Sequence, residues 1–295
     1  MSRLISDTDC ELWYDRAEEL GVDYIKMPYQ IDGKEYFYDL GKNTDIKEFY
    51  KLVRQGKMPS TFALNENDYI EFIEPYFKNG EDLFYVSFSH AMSGTFNQLD
   101  KAIAKLKETY PERKITVFDT RCISVSAGLI VEEAAKLKKQ GLNDEELYKK
   151  LLEFRDKIGT YFIVDDLHHL KRGGRLSAIA AFAGTALGLK PMLTYSDEGG
   201  LTVVQKITGR KKSISVMTQR AIEEMIEVDQ HRIYVLDADC KEEGDKIRDS
   251  ILEAYPNADV HRLPVGPVIG AHAGPGTLAI IFTAEKRAIP LKEGL

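Results

Sequence analysis

Four groups of residues in this chain could do chemistry, and each asks for something different. The first is the polar run Ser87–Gly94, broken by Phe88, Ala91 and Met92. It follows the apolar stretch Leu83-Phe84-Tyr85-Val86 and precedes a helix with Leu99, Ile103 and Leu106 on one face. Ser93 stands where the helix N-cap is expected, and Gly94 lets a ligand approach the backbone closely. A strand running into a helix N-terminus lined with hydroxyls and free N–H groups is a ready anion site. Thr61 adds a second hydroxyl. Together Thr61, Ser93 and the Gly94 N–H offer three neutral donors, enough to satisfy a carboxylate without a buried cation. The plain alternative is a capped helix that binds nothing.

The second group is acidic. Asp7-x-Asp9 follows a strand, Ser87 or Ser89 ends a later one, and Asp165-Asp166 follows Phe162-Ile163-Val164. That order is similar to the haloacid dehalogenases, in which one aspartate attacks phosphorus, a second acts as general acid/base and a later acidic pair holds Mg²⁺. Among 47 acidic residues, the same short patterns also arise as helix starts and solvated turns. The third group, Ser89-His90 with Ser93, suggests serine hydrolysis but lacks a G-x-S-x-G elbow. The fourth is basic: Arg172, Arg175, Arg210, Lys211, Lys212 and His272. Arginines in a glycine loop and a histidine in a glycine-proline loop can recognise a phosphate or an acidic partner, although charge runs usually form solvated faces. His168-His169 read as a surface turn.

The elements that would position these groups alternate between strand and helix. Leu4-Ile5 is a brief strand, and Asp7-Thr8-Asp9 is expected to open a helix reaching Leu20. Val22–Met27 returns as a strand, and Asp32-Gly33 signals a hairpin between Tyr29-Gln30-Ile31 and Tyr36-Phe37-Tyr38. Helices are expected at Asp45–Gln55 and Glu66–Phe77, a strand at Ile115–Phe118, and helices at Val125–Lys139 and from an Asn143/Glu146 capping box to about Lys157. This pattern predicts a three-layer α/β/α domain with a mainly parallel sheet over residues 1–158. Ligands on such sheets sit at the carboxyl ends of strands, where Ser93, Asp119 and the Asp7 loop all fall.

From residue 159 to 295 the pattern becomes mixed: strands at Tyr161–Val164, Ile233–Leu236, Val260–Leu263 and Leu278–Phe282, a hairpin of Met192–Tyr195 with Leu201–Lys206, a short turn at Asp165–Leu170, and helices at Ser213–Ile226 and Glu242–Ala254. Gly266–Gly276 reads as a loop. A second α/β domain with a mixed sheet is the expectation. Leu176–Leu189 is a small-residue apolar helix, too short to span a bilayer. Through Ile179, Ala180, Ala183, Gly184 and Leu187 it could wall a slot for an alkyl chain, or simply pack the core. Each buried CH₂ contributes roughly 0.8 kcal/mol, so a long tail would bind tightly by itself.

A net charge of −7 argues against a general nucleic-acid binder. Cys10, Cys122 and Cys240 lie far apart, fit no metal or disulfide spacing, and read as small apolar residues in a reducing, cytoplasmic setting. MSRLISDTDCELW shows no signal-peptide pattern.

Taken in register, several segments resemble the DegV family of bacterial fatty-acid-binding proteins, which includes the binding subunits of fatty acid kinase. Asp7-Thr8-Asp9 is similar to the family's D-S-T, Pro59-Ser60-Thr61-Phe62-Ala63 to P-T-T-S-Q, and Ser93-Gly94-Thr95 to S-G-T. Asp119-Thr120 resembles D-T, Arg172-Gly173-Gly174-Arg175-Leu176-Ser177 resembles K-G-G-R-I-S, Leu189-Lys190-Pro191-Met192-Leu193 resembles I-K-P-I-L, and His272-Ala273-Gly274-Pro275-Gly276 resembles H-T-G-P-G. The resemblance implies two α/β domains with a long-chain fatty acid buried between them, no catalytic activity, no cofactor and no metal. The carboxylate would be held by Thr61 and Ser93 beside Gly94, with Ile179, Ala183 and Leu187 along the tail. A separate ATP-dependent kinase would phosphorylate that carboxylate, with Arg172, Arg175 and His272 as candidates for phosphate or kinase contact; transient membrane contact is compatible with such a role. Two departures flank the carboxylate positions: Phe62-Ala63-Leu64-Asn65 replaces S-Q-P-S, and Ser89-His90 replaces S-S.

Overall fold

The computed structural model of the protein describes residues 2–175 and 188–291. Ile179, Ala183 and Leu187, with the rest of the expected helix from 176 to 187, lie outside the described residues. The architecture is α/β, with one parallel and one mixed sheet. The chain forms two compact units. One comprises the residues up to Gln30, Glu35–Thr44 and Thr61–Arg155; the other comprises Ile31–Lys34, Asp45–Ser60 and the chain from Asp156 onward.

In the first unit, β1 (Arg3–Asp7), β2 (Asp23–Ile25), β6 (Leu83–Ser87) and β7 (Ile115–Asp119) form a parallel sheet in the order β2-β1-β6-β7. β6 is buried along its whole length, as its unbroken apolar run requires of a strand covered on both faces. Helix α5 (Val125–Lys139) lies against β1 and β6, and α3 (Glu66–Lys78) packs on α4 (Phe96–Thr109). The boundaries follow local chemistry. Asn65 and Asp68 form a capping box for α3, and Asn143 and Glu146 form one for α6 (Asp144–Arg155), with reciprocal bonds of 3.0 and 3.1 Å.

Three local expectations are corrected here. Asp7-Thr8-Asp9 does not open a long helix. Asp7 caps a single 3-10 turn, Thr8–Cys10, which stops where Glu11 enters the left-handed region (φ 49°), and α1 begins afresh at Tyr14 and ends at Leu20. Ser93 is not the N-cap of α4. It is extended (φ −153°) at the end of a second 3-10 turn, His90–Met92, and the cap position falls to Thr95. Gly266–Gly276 is not all loop either: Pro267, whose fixed φ suits a first helical position, starts α10 (Pro267–Ala273), and Gly274 ends it.

The hairpin forms at Asp32-Gly33, where both residues take positive φ (53° and 74°), as a type I′ turn demands. Its strands β3 (Pro28–Ile31) and β4 (Lys34–Phe37) join β5 (Ser60–Thr61) in a small sheet of order β4-β3-β5. In the second unit, β8 (Ile158–Ile163), β9 (Met192–Tyr195), β10 (Leu201–Gln205), β11 (Ile233–Asp237), β12 (Val260–Pro264) and β13 (Leu278–Thr283) take the order β10-β9-β8-β13-β11-β12. Only β11 and β12 run parallel; the other pairings are antiparallel. Helices α8 (Arg210–Glu224) and α9 (Lys241–Ala254) lie against this sheet around Tyr161, Met217, Val235, Ile247, Ile280 and Phe282. An early helix, α2 (Ile46–Arg54), also belongs to this unit: Tyr50 donates to the Val265 carbonyl at 3.0 Å, and a Cβ on Gly270 would strike that hydroxyl.

Candidate functional site

The parallel sheet directs attention to one crevice. From β1 the chain crosses to β2 on one side and returns to β6 on the other, so the strand order reverses between β1 and β6. Ligands of open α/β sheets bind outside the carboxyl ends of the strands at such a point.

There the first aspartate serves the fold. Asp7 is wholly buried; its carboxylate accepts from Tyr85 Oη at 3.0 Å, Phe88 N at 3.1 Å and Asp9 N at 3.2 Å. Burial pushes its pKa up to about 7, against the pull of those three hydrogen bonds. It therefore ties the end of β1 to the start of the loop after β6. Asp9 is buried beside it. Asp166 caps α7 (Leu167–Arg172) through the His168 N–H and bonds the His168 ring, while Asp165 pairs with Lys190 at 2.9 Å and Arg210 at 3.4 Å. Burial works to raise the Asp165 pKa, but its cationic partners outweigh it and hold the group below the usual carboxylate range. Of the acids in the phosphohydrolase reading, Asp7, Asp165 and Asp166 thus have such local roles.

The loop after β6 is fixed from three sides. Ser87 Oγ donates to the Phe118 carbonyl at 3.2 Å, so at its 3.0 Å contact with His90 Nε2 it accepts. Ser89 N donates to the Cys122 carbonyl at 2.7 Å. Phe88 and Phe96 pack with centroids 4.8 Å apart. The His90 ring thus meets Ser87, not Ser89 or Ser93, the two serines with which the hydrolase reading grouped it. Ser89 is fully buried.

Ser93 follows. Its Oγ accepts from Thr95 N at 3.2 Å, and its own hydroxyl hydrogen meets no acceptor among the described residues. Neither does the Gly94 N–H. A Cβ placed on Gly94 would meet nothing within 4 Å, so packing does not demand glycine there. Thr61 is half-buried at the end of β5, four residues before the Asn65 cap of α3. Tyr69, in the first turns of α3, bonds Thr95 Oγ1 at 3.0 Å in the interior. The segments carrying Thr61 and Ser93 thus lead into two helices joined near their N-terminal ends.

In the second unit two motifs far apart in sequence meet. A Cβ on Gly173 would fall 2.1 Å from His272 Nδ1, and one on Gly274 would fall 2.4 Å from His169 Cδ2. The glycine of the basic loop is therefore required by the imidazole of α10. Arg172 donates to His169 Nδ1 at 3.0 Å, and Arg175 donates to the Gly173 carbonyl. Burial, with the Arg175 charge adding to it, lowers the His272 pKa to about 4, so the ring is neutral at pH 7. The sequence reading placed His272 in an exposed loop; the structure makes it a half-buried helical side chain. Missed altogether were Asp7 as a strand-end clamp, the Ser87–His90 bond and the Gly173–His272 contact. Of these only the paired glycine motifs left a trace in the sequence.

Among the described residues no group of three or more His, Cys, Asp or Glu side chains could hold a metal ion, and no helix is long and apolar enough to cross a membrane.

A family model described as an uncharacterised protein of the DegV family matches residues 2–285. A DegV domain-containing protein of Clostridium perfringens is 36% identical over 284 residues, 96% of this chain and 98% of that protein. Protein DegV of Bacillus subtilis is 31% identical over 260 residues, 87% of this chain and 90% of its own length. Among solved structures, a fatty-acid-binding DegV family protein from Thermus thermophilus superposes with a TM-score of 0.82 at 27% identity, over 96% of this chain and 99% of that one. DegV from Bacillus subtilis, described as a fatty acid binding protein, matches with a TM-score of 0.82, also at 27% identity and over the same shares.

Proposed function

The chain belongs to the DegV family, and from that premise we propose that it is a non-catalytic carrier of a long-chain fatty acid. The carboxylate accepts from the Thr61 and Ser93 hydroxyls and the Gly94 N–H. The tail lies in an apolar slot, for whose wall the sequence offers Ile179, Ala183 and Leu187. The observation that carries this reading is the pair Ser93–Gly94: a hydroxyl hydrogen and a backbone N–H without acceptors among the described residues, beside a Cα facing open space. An anion with two oxygens supplies what those donors lack.

The carrier presents its carboxylate to a separate ATP-dependent kinase, which transfers a phosphoryl group to a carboxylate oxygen and releases ADP. Arg172 and Arg175 are the cations offered to that phosphate or to the kinase, with neutral His272 packed against Gly173 between them. In the first unit the exposed side chains Tyr36, Phe37 and Phe62 offer apolar surface for a transient membrane contact.

The test is mass spectrometry of an organic extract from the purified protein, for the parent and for Thr61→Val/Ser93→Ala. The parent should yield a stoichiometric long-chain fatty acid. Each lost hydroxyl should weaken carboxylate binding by about 1–3 kcal/mol, so the double variant should come away empty or heavily depleted. An empty parent that also refuses added fatty acid would defeat the reading.

A further inference from the structure

The turn that carries Ser93 is held by one side chain, that of His90. His90 begins the 3-10 turn His90–Met92, three residues before Ser93. Its Nε2–H donates to Ser87 Oγ at 3.0 Å, because the Ser87 hydrogen is already committed to Phe118. Its ring stacks on Phe96, in the first turn of α4, with centroids 3.9 Å apart and planes 20° from parallel. Its backbone N–H points to Asp119 Oδ1 at 3.4 Å, an oxygen that also accepts from Arg121 N at 2.7 Å. One residue thus ties the ends of β6 and β7 to the start of α4, and Ser93-Gly94-Thr95 is the short bridge between its turn and that helix.

We propose that His90 is a positioning residue for the carboxylate site: the ring, clamped between Ser87 and Phe96, sets the turn so that the Ser93 hydroxyl and the Gly94 N–H converge on one anion. This rests on the fatty-acid reading and deepens it. Three neutral donors hold a carboxylate only if they are fixed in place beforehand, since each contributes little and disorder would cancel it. A serine at this position, as in the pattern the chain resembles, would have no ring to stack on Phe96. Burial lowers the His90 pKa, while Asp119 and Asp100 act to raise it.

The experiment measures binding of hexadecanoic acid and of hexadecanol to the delipidated full chain, for the parent, His90→Phe and His90→Gln. The two ligands share a tail and differ in the group that Ser93 and Gly94 would hold. His90→Phe keeps the stack and loses the donor; it should bind the acid about 5- to 30-fold more weakly, with hexadecanol affinity unchanged. His90→Gln, which restores a donor, should recover most of the loss. Equal weakening for acid and alcohol would make His90 a merely structural residue and overturn the proposal, as would unchanged acid binding in His90→Phe. If Thr61→Val/Ser93→Ala loses the acid while His90→Phe keeps it, the carrier reading stands and the positioning role falls. A parent that binds neither ligand sinks both.

Discussion

Replacing Asp7 by asparagine should change how stability depends on pH more than it changes stability at any one pH. In the folded chain the buried carboxyl keeps its proton up to about pH 7, because loss of water outweighs the three donors facing it. In the unfolded chain it ionises near its ordinary value of 3.8. Between those two values the folded state binds one more proton than the unfolded state. The raised group's contribution is therefore fully present below about pH 3.8 and is lost as pH rises through about 7. A full proton corresponds to about 1.4 kcal/mol per pH unit, so the ceiling over this window is about 4 kcal/mol. Asparagine has no such proton. Its amide can accept from Tyr85 and Phe88 through oxygen but turns an NH₂ toward the Asp9 N–H, a fixed cost at every pH. The histidines with lowered pKa values, His90, His169 and His272, tilt stability the other way in parent and variant alike, so they cancel in the difference. The assay is urea unfolding of delipidated parent and Asp7→Asn from pH 4 to 8. The parent's advantage should shrink with rising pH. An advantage that stays flat or grows between pH 4 and 7 would show that Asp7 is ionised in the fold, and the burial argument would be refuted.

Two glycines should respond to alanine in opposite ways. In α5, Gly128→Ala gains up to about 1 kcal/mol of helix propensity, yet its Cβ would sit 2.6 Å from the Cys10 carbonyl oxygen and 2.9 Å from Leu12 Cγ. A backbone neighbour cannot give way cheaply, so a net loss of about 1–3 kcal/mol is expected as a lower thermal midpoint; an unchanged midpoint would refute the contact. Gly94→Ala has open space and no positive φ, so its midpoint should hold or rise slightly while hexadecanoic acid affinity falls. Unchanged affinity there would remove Gly94 from the carboxylate site.

Elements with a strong local signal were legible in the sequence. The Asp32-Gly33 hairpin, the Asn143/Glu146 box, α5 and the antiparallel pair β9–β10 each announce themselves through a turn type, a cap or a period. The exceptions share a cause: the deciding partner lies far away in the chain. Glu11 ends the first 3-10 turn as a buried residue at positive φ whose carboxylate accepts from Ser124, more than a hundred residues on. Nothing in Asp7-Thr8-Asp9 reveals that. Ser93 could be picked out by its SGT setting, but whether it caps a helix depends on His90, whose ring finds Ser87 and Phe96 only once β6 and α4 are in place. Of the basic candidates, Arg172 became the last residue of α7 and Arg175 stayed in the loop after it, whereas His272 was drawn inward by the space that Gly173 leaves. Two histidines that look alike in sequence, His168 and His169, end up with different jobs: one pairs with the exposed Asp166, the other lies over Gly274.

These local facts bear on how a carrier divides its binding energy. At roughly 0.8 kcal/mol per buried CH₂, a long tail would supply most of the affinity whatever held the head. On the proposed reading the donors at Thr61, Ser93 and Gly94 would add only a few kcal/mol, but they alone would distinguish one end of the ligand from the other. A protein stripped of them could still carry an alkyl chain and yet fail to offer its carboxylate in one place for a second protein to act on. On the same proposed reading, the network Asp7–Phe88, Ser87–His90, His90–Phe96 and Ser89–Cys122 would hold that turn in one place. Retaining the tail tolerates looseness. Presenting a carboxylate to a kinase does not, because a misplaced reacting oxygen lowers the rate even when affinity is untouched.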